Sequence, residues 1–302
     1  MQCWCSWGIQ SLIGLLLGLP IALHSWGYFQ RPAPVPLSVN LAPGAIYERR
    51  ILTTPRPNVV HIVKIDLTYP QLKLLVTPGT PGADGNELNA LTTREFLQRY
   101  NQDLAVNASF FYPFREAAPW NYYPRSGDRT NAVGYAASGG QVYSSGAVPT
   151  WPVICFDAQN QAQILAQPNC PSGTVNGLSG NELILQNGEP LSNASPKDKA
   201  YPRTIVATDN SGKTLWLIVI DGKQPWYSEG MTIAQTVPLL QRLGVSQALN
   251  LDGGGSVSLV QAVQGQARLL NAPIQNKIPM TERPIANHLG LSWGIGNASA
   301  KP

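Results

Sequence analysis

Apolar runs bounded by turn residues recur along most of this chain, and they predict strands far more often than helices. Val59 to Leu67 alternates apolar and polar positions, and Leu72 to Val76 continues after Tyr69-Pro70, predicting two strands joined by a turn. Comparable runs occupy Leu104 to Asn107, Val153 to Asp157, Ala162 to Ala166 and Glu182 to Gln186, the last followed by an Asn187-Gly188 turn. Thr204 to Thr208, Leu215 to Ile220, Ala248 to Leu251 and Ala286 to Trp293 complete the set. Helical spacing appears twice: after a Thr92 cap, where Phe96, Leu97 and Tyr100 share a face, and from Thr232 to Leu243, ended by Gly244. From Pro113 to about Pro149 the chain is rich in Pro, Gly, Ser and aromatics without a sustained period, which reads as a long loop system near a site. No internal repeat is visible. The expected fold is α+β, a single domain with a large mixed, mostly antiparallel sheet and few helices.

The ends of the chain read differently from its body. Ile9 to Leu23 is apolar but broken by Gly14, Gly18 and Pro20, and is short of the roughly 20 residues that span a bilayer. No Lys or Arg precedes it, and no small-x-small cleavage site separates it from the bulky run Trp26 to Phe29. Residues 1–30 are therefore expected to be either a signal peptide or a signal-anchor, the latter making residues 9–29 a membrane tether. Residues 31–45 read as a proline-rich linker, 46–296 as the folded domain and 297–302 as a tail. This arrangement implies export to the periplasm or the extracellular space.

Charge and cysteines narrow the function class. The 21 basic and 17 acidic residues leave a net charge of +4 with no basic run, so a nucleic-acid partner is not expected. Cys155 and Cys170, the only cysteines in the body of the chain, are expected to pair in an oxidising compartment, closing a loop worth roughly 3 kcal/mol. Cys3 and Cys5 precede the apolar stretch and receive no function. The three histidines, His24, His61 and His288, show no zinc-ligand spacing.

The candidate chemistry centres on Asn250-Leu251-Asp252-Gly253-Gly254-Gly255-Ser256. Three glycines after an apolar strand and an aspartate contribute no side chains and cost backbone entropy, so something must approach the backbone closely. A tight turn with a capping Asp is one reading; a concavity of peptide N–H groups that seats a phosphate, helped by Ser256, is the other. Polar residues also recur at other predicted strand ends: Asn107, Arg203 with Thr204, Asp221 and Arg283. Taken singly, each is an ordinary turn or surface residue.

In order, these segments resemble the phosphodiester glycosidase family. Asn107-Ala108-Ser109-Phe110-Phe111 resembles the family's Asn-Gly-x-Phe-Phe, and Tyr201-Pro202-Arg203-Thr204 its Pro-Arg-Thr. Asp221-Gly222 with Glu229-Gly230-Met231-Thr232 is similar to its Asp-Gly-Arg and Gly-Met-Thr elements. Ala248 to Ser256 matches almost letter for letter, and Arg283-Pro284-Ile285-Ala286-Asn287 resembles the closing Arg-Pro-Val-x-Asn. The resemblance runs from about Val59 to Leu291, with departures at Ala108, Ala207 and Lys223, where the family commonly has Gly, Gly and Arg. It implies hydrolysis of a sugar-1-phosphodiester, such as an N-acetylglucosamine-1-phosphodiester, in envelope or extracellular glycans, with the sugar-phosphate or glycan as partner.

On that reading Gly253, Gly254, Gly255 and Ser256 hold the phosphate, while Arg203 and Arg283 neutralise it as it departs. Asp252 and Asp221 are the candidate carboxylates, with either able to attack C1 or align a water. Asn107 would orient a sugar hydroxyl or the carboxylates, Thr204 and His61 would face the substrate, and Tyr112, Trp120 or Trp226 would stack on a sugar. No cofactor is required, although Asp221, Asp252 and Asn107 offer oxygens suited to Ca²⁺ or Mg²⁺. The rival expectation is a non-catalytic glycan- or phosphate-binding protein of exopolysaccharide assembly.

Overall fold

A computed structural model of the chain describes residues 25–145, 151–191 and 198–294. Seven strands carry or support the residues singled out above: β1 (Asn58–Asp66), β2 (Leu104–Asn107), β3 (Arg203–Thr208), β4 (Thr214–Ile220), β5 (Gln247–Asn250), β6 (Leu259–Val263) and β7 (His288–Ser292). β1, β4, β3 and β5 lie side by side in that order at the centre of an eight-stranded sheet. The hairpin Leu37–Ala42 and Ala45–Leu52 extends it beyond β1, and Glu182–Gln186 with Glu189–Pro190 extends it beyond β5. A five-stranded sheet holds β6, β2 and β7 between Gln266–Leu269 and Lys73–Val76. A second five-stranded sheet, running from Gln141–Ser145 to Ala162–Leu165, completes the larger layers.

The two main sheets face one another across a shared core. Val63 and Ile65 of β1, Leu217 and Val219 of β4, Val206 of β3 and Leu249 of β5 pack there against Leu104, Val106, Leu289 and Leu291. The alternate residues of the same strands, Val60, Ile62, Ile218, Ile220, Ile205 and Ala248, face the opposite way, onto helix α2 (Ile233–Arg242) through Leu239 and Leu240. Helix α1 (Thr93–Arg99) covers the outer face of the five-stranded sheet with Phe96 and Leu97 against Ala105 and Val260. Burial on both faces explains why β4 reads as the continuous run Leu-Trp-Leu-Ile-Val-Ile rather than as an alternation.

Both of these helices start on capping boxes, of which the sequence predicts the Thr92 cap. Thr92 and Thr232 accept from the backbone of Glu95 and Gln235, whose side chains bond back to the threonine N–H groups. Gly244, at φ +71°, ends α2 in the left-handed conformation. Cys155 and Cys170 form the expected disulfide.

Four expectations change. The sheet is not one mixed sheet: the strands divide among several sheets, and every pairing among the described residues is antiparallel. The runs Val59 to Leu67 and Leu72 to Val76 are not partners, because the chain crosses between them from one layer to the other. The stretch after Pro113, read as loop, contains the short strands Arg115–Ala118, Asn121–Tyr123, Arg129–Ala132, Tyr135–Ser138 and Gln141–Ser145. Strands of three to five residues are too short to establish a visible period. The sheet also takes in Leu37–Ala42, inside the stretch read as linker. The apolar stretch 9–23 and the tail 297–302 lie outside the described residues.

Leu240 is fully buried between α2 and the central strands. Leu240→Ala is expected to cost about 2–5 kcal/mol, read as a shift of the denaturant midpoint without a change of slope.

Candidate active site

The site forms where strand ends of the two facing sheets meet. β5 ends at Asn250, and the chain passes through Leu251 and Asp252 into a single 3₁₀ turn, Gly254–Ser256, before entering β6. Asn107, at the end of β2 in the opposite sheet, fixes this passage. Its Nδ2 donates to the Asp252 carbonyl at 2.7 Å, and its Oδ1 accepts from Thr204 Oγ1 at 2.7 Å and from the Ser258 N–H at 3.2 Å. The Asp252 N–H donates to the Ala108 carbonyl at 3.0 Å. Asn107 and Thr204 are wholly buried, so both act on the backbone that presents Asp252.

What approaches the glycines is protein. A Cβ on Gly253 would stand 2.6 Å from the Pro202 carbonyl oxygen, and one on Gly254 would stand 2.7 Å from the Tyr201 ring. One on Gly255 would meet the Arg283 guanidinium at 2.5 Å and Gln275 Oε1 at 2.7 Å. Gly254 also adopts φ +64°, a conformation that L side chains rarely take. Of the peptide N–H groups, that of Gly254 donates to the Pro202 carbonyl and that of Gly253 to the Asp252 carboxylate.

Asp252 is 9% exposed, and burial pushes its carboxyl up to about 6, against the opposing pull of the Ser256 hydroxyl, Arg283 and the Gly253 N–H. Arg283 Nη1 donates to Ser256 Oγ at 3.3 Å, its Nε to Gln275 Oε1 at 2.7 Å and its Nη2 to Glu116 Oε2 at 2.6 Å. The guanidinium also covers the Phe114 ring at 4.4 Å. Gln275 is buried, and its Nε2 has no partner among the described residues. The result is a carboxyl poised near neutrality, a fixed cation reaching it through a hydroxyl, and one unpaired amide donor beside them.

Asp221 sits in a different environment. Its carboxylate accepts from Asn271 Nδ2 at 2.9 Å and from the Ala272 N–H at 3.0 and 3.1 Å, and it pairs with His61 Nε2 at 3.0 Å. His61 Nδ1 meets the Tyr47 hydroxyl at 2.8 Å. The side chains of Asp221 and His61 are fully buried. Asn271 in turn donates to the Val257 carbonyl and accepts from the Leu259 N–H, so this network braces the chain just after Ser256. Arg203 faces the helix side of the eight-stranded sheet. It donates to the Met231 carbonyl at 3.1 Å and pairs with Asp198 at 2.8 Å, whereas its neighbour Thr204 points inward.

The structure thus brings together Asp252, Ser256, Arg283 and the three glycines, supported by Asn107 and Thr204, and places Asp221, His61 and Arg203 outside that set of contacts. Among the described residues no group of three His, Cys, Asp or Glu gathers as metal ligands, and the Asp221 and Asp252 carboxylates share no partner. Trp226 and Trp120 are 92% and 77% exposed and Tyr112 is half-exposed. Tyr201, Gln275 and Glu116 went unread in the sequence. Tyr201 carried a signal, since it precedes Pro202-Arg203-Thr204; Gln275 and Glu116 stand in no motif.

A cleft of about 510 Å³ opens beside Arg283 and Glu116, bordered by Tyr28, Arg31, Lys223 and Lys277.

Comparison with known proteins agrees with this architecture. No match is found among curated proteins. A hypothetical protein from Synechocystis superposes with a TM-score of 0.63 at 16% identity, covering 86% of this chain; the chain spans 64% of that protein. The zebrafish N-acetylglucosamine-1-phosphodiester alpha-N-acetylglucosaminidase catalytic domain, in a structure described as auto-inhibited by its pro-peptide, superposes with a TM-score of 0.60 at 18% identity, covering 88% of this chain and 92% of that one. At such identities the likeness concerns the fold. The sequence profile of the phosphodiester glycosidases matches residues 100–292, from just before β2 to the end of β7 and across the whole Asp252 turn, and the chain belongs to that family.

Proposed function

We propose that this protein is an exported hydrolase that cleaves sugar-1-phosphodiesters at the anomeric C–O bond, with Asp252 as its reactive carboxylate. The observation that carries the reading is the pairing of a desolvated carboxyl with a fixed guanidinium through Ser256. A departing phosphate monoester needs little protonation, so the chemical demand falls on stabilising the anion and on activating the nucleophile. Arg283, Ser256, the Gly255 N–H and Gln275 Nε2 supply donors for the phosphate. Asp252, in its anionic form, attacks C1 or takes the proton of a water directed there. The disulfide supports export, since such bonds persist in oxidising compartments.

The sealed position of Asp221 favours a second reading. With all its oxygens engaged by N–H donors, Asp221 braces the site rather than supplying a second reactive carboxylate, which leaves room for a protein that holds a glycan phosphate without cleaving it. Product release separates the two readings: a sugar and a phosphate monoester from an N-acetylglucosamine-1-phosphodiester for the enzyme, and binding without product for the alternative.

Asp252→Asn is expected to lower turnover of that substrate by at least a thousandfold, read by product release. Stability should move the other way. Because burial raises the folded-state pKa to about 6 from the ordinary 3.8 of a solvated aspartate, the folded protein holds an extra proton between about pH 4 and 6, and stability falls as pH rises through that window. Above it the destabilisation is complete, amounting to at most about 3 kcal/mol. Asp252→Asn should therefore raise the melting temperature at pH 7 by a few degrees and flatten its dependence on pH between 4 and 6. Calorimetry showing a lower melting temperature at pH 7 would contradict the desolvation argument.

Because the anion of Asp252 is the active form, kcat/KM should rise with pH to a plateau above about pH 6; a falling limb there would make Asp252 a general acid instead. Arg283→Lys keeps a charge but loses the fork that holds Gln275, Ser256 and Glu116. It is expected to reduce kcat about a hundredfold, and an unchanged kcat would remove Arg283 from the reaction.

A further inference from the structure

The cleft beside Arg283 is larger than the Asp252 cluster needs, and its charge is one-sided. Arg31, Lys223, Lys277 and Arg283 border it against the single carboxylate of Glu116, which already pairs with Arg283. Lys277 is exposed and makes no ion pair among the described residues; Lys223 bonds to the Tyr201 hydroxyl at 2.8 Å and stands over its ring at 4.1 Å. Arg31 stands over the Tyr28 and Tyr227 rings and donates to Gln224. None of these three cations is neutralised by a carboxylate.

The backbone bordering the cleft is sharply turned. Lys223 on one border, and Asn276 and Lys277 on the other, have φ between +51° and +64°. Asn276 and Lys277 are the two central residues of the hairpin that joins Ile274–Gln275 to Ile278–Pro279, where a tight turn calls for positive φ. The arrangement turns Lys223 and Lys277 towards a common opening and leaves the Trp226 ring almost wholly in solvent.

We propose that this cleft is a second anion subsite that receives the aglycone side of the substrate, and that the preferred substrate is a polymeric glycan whose repeats are joined by phosphodiester bridges. This rests on the function proposed above. One phosphate sits at Arg283 and Ser256 for cleavage; the next along the chain is held by Lys223, Lys277 and Arg31. A neutral aglycone would leave these cations without a counter-charge, whereas a repeating phosphodiester supplies an anion for them at each unit.

The test uses the full-length protein and oligomers of N-acetylglucosamine joined by 1,6-phosphodiester bridges, with one or three links. The unaltered protein should show a KM at least tenfold lower for the three-link oligomer, and raising the salt concentration should reduce that advantage. Lys223→Gln/Lys277→Gln should remove it, leaving kcat and KM for the one-link compound unchanged and the melting temperature within a few degrees. Equal KM values for the two oligomers in the unaltered protein, or an advantage that survives the double substitution, would overturn the subsite. Calorimetric titration of three-link oligomer into Asp252→Asn separates the two proposals. Lysine-dependent binding with no cleavage by the unaltered protein would sink the hydrolase reading alone, and cleavage of the one-link compound with no lysine-dependent binding would sink the subsite alone.

Discussion

The geometry of this protein depends on a single buried amide. Asn107 ends a strand of one sheet, yet its side chain bonds to Thr204 in the facing sheet, to the carbonyl of Asp252 and to the N–H of Ser258. Two sheets packed face to face can slide relative to each other at little cost, because apolar contact is not directional. Three hydrogen bonds from one wholly buried side chain remove that freedom at the place where Asp252 is presented. Loss of any one partner would leave a buried polar group unsatisfied, which makes the junction costly to distort.

The family carries two aspartates in its motifs, and here they have opposite environments. Asp221 is surrounded by N–H groups and a histidine, which engage both of its carboxylate oxygens. Asp252 has a hydroxyl, one peptide N–H and a guanidinium that reaches it through the hydroxyl. The first set of partners satisfies its carboxylate; the second leaves its carboxylate under-solvated, which raises its pKa to about 6. A sequence shows both as Asp before Gly and cannot distinguish them, since the difference lies in Asn271 and Ala272, which are remote in the chain.

Much of the architecture was nevertheless legible. Strands buried on both faces advertise themselves as apolar runs; the first helix was framed by Thr92 and its acidic first turn, and the second by its apolar spacing and Gly244. The division into sheets was not legible, because pairing partners such as β3 with β5 or β2 with β7 are far apart in sequence and nothing local encodes their register. The glycine turn was read from the close approach that it requires. Close approach does demand glycine at 253 to 255, but Tyr201, Pro202, Arg283 and Gln275 make that approach. Side-chain direction explains the contrast between the two arginines: Arg203 and Thr204 are adjacent, and a strand sends neighbours to opposite faces.

The crowding of that turn also bears on how charge is managed. If the glycines made room for a ligand, the loop could relax when empty; since they make room for Arg283 and Tyr201, the guanidinium is locked against the backbone whether or not substrate is present. A cation held in this way needs no reorganisation as negative charge develops next to it, which is the condition under which electrostatic stabilisation is most effective. Gln275 contributes to the same end by fixing the Arg283 Nε while keeping its own Nε2 without a partner. An unsatisfied buried donor is a standing cost, and here it stands beside the fixed cation. The turn is thus rigid where Arg283 packs against it and carries a side-chain donor that the fold leaves unpaired.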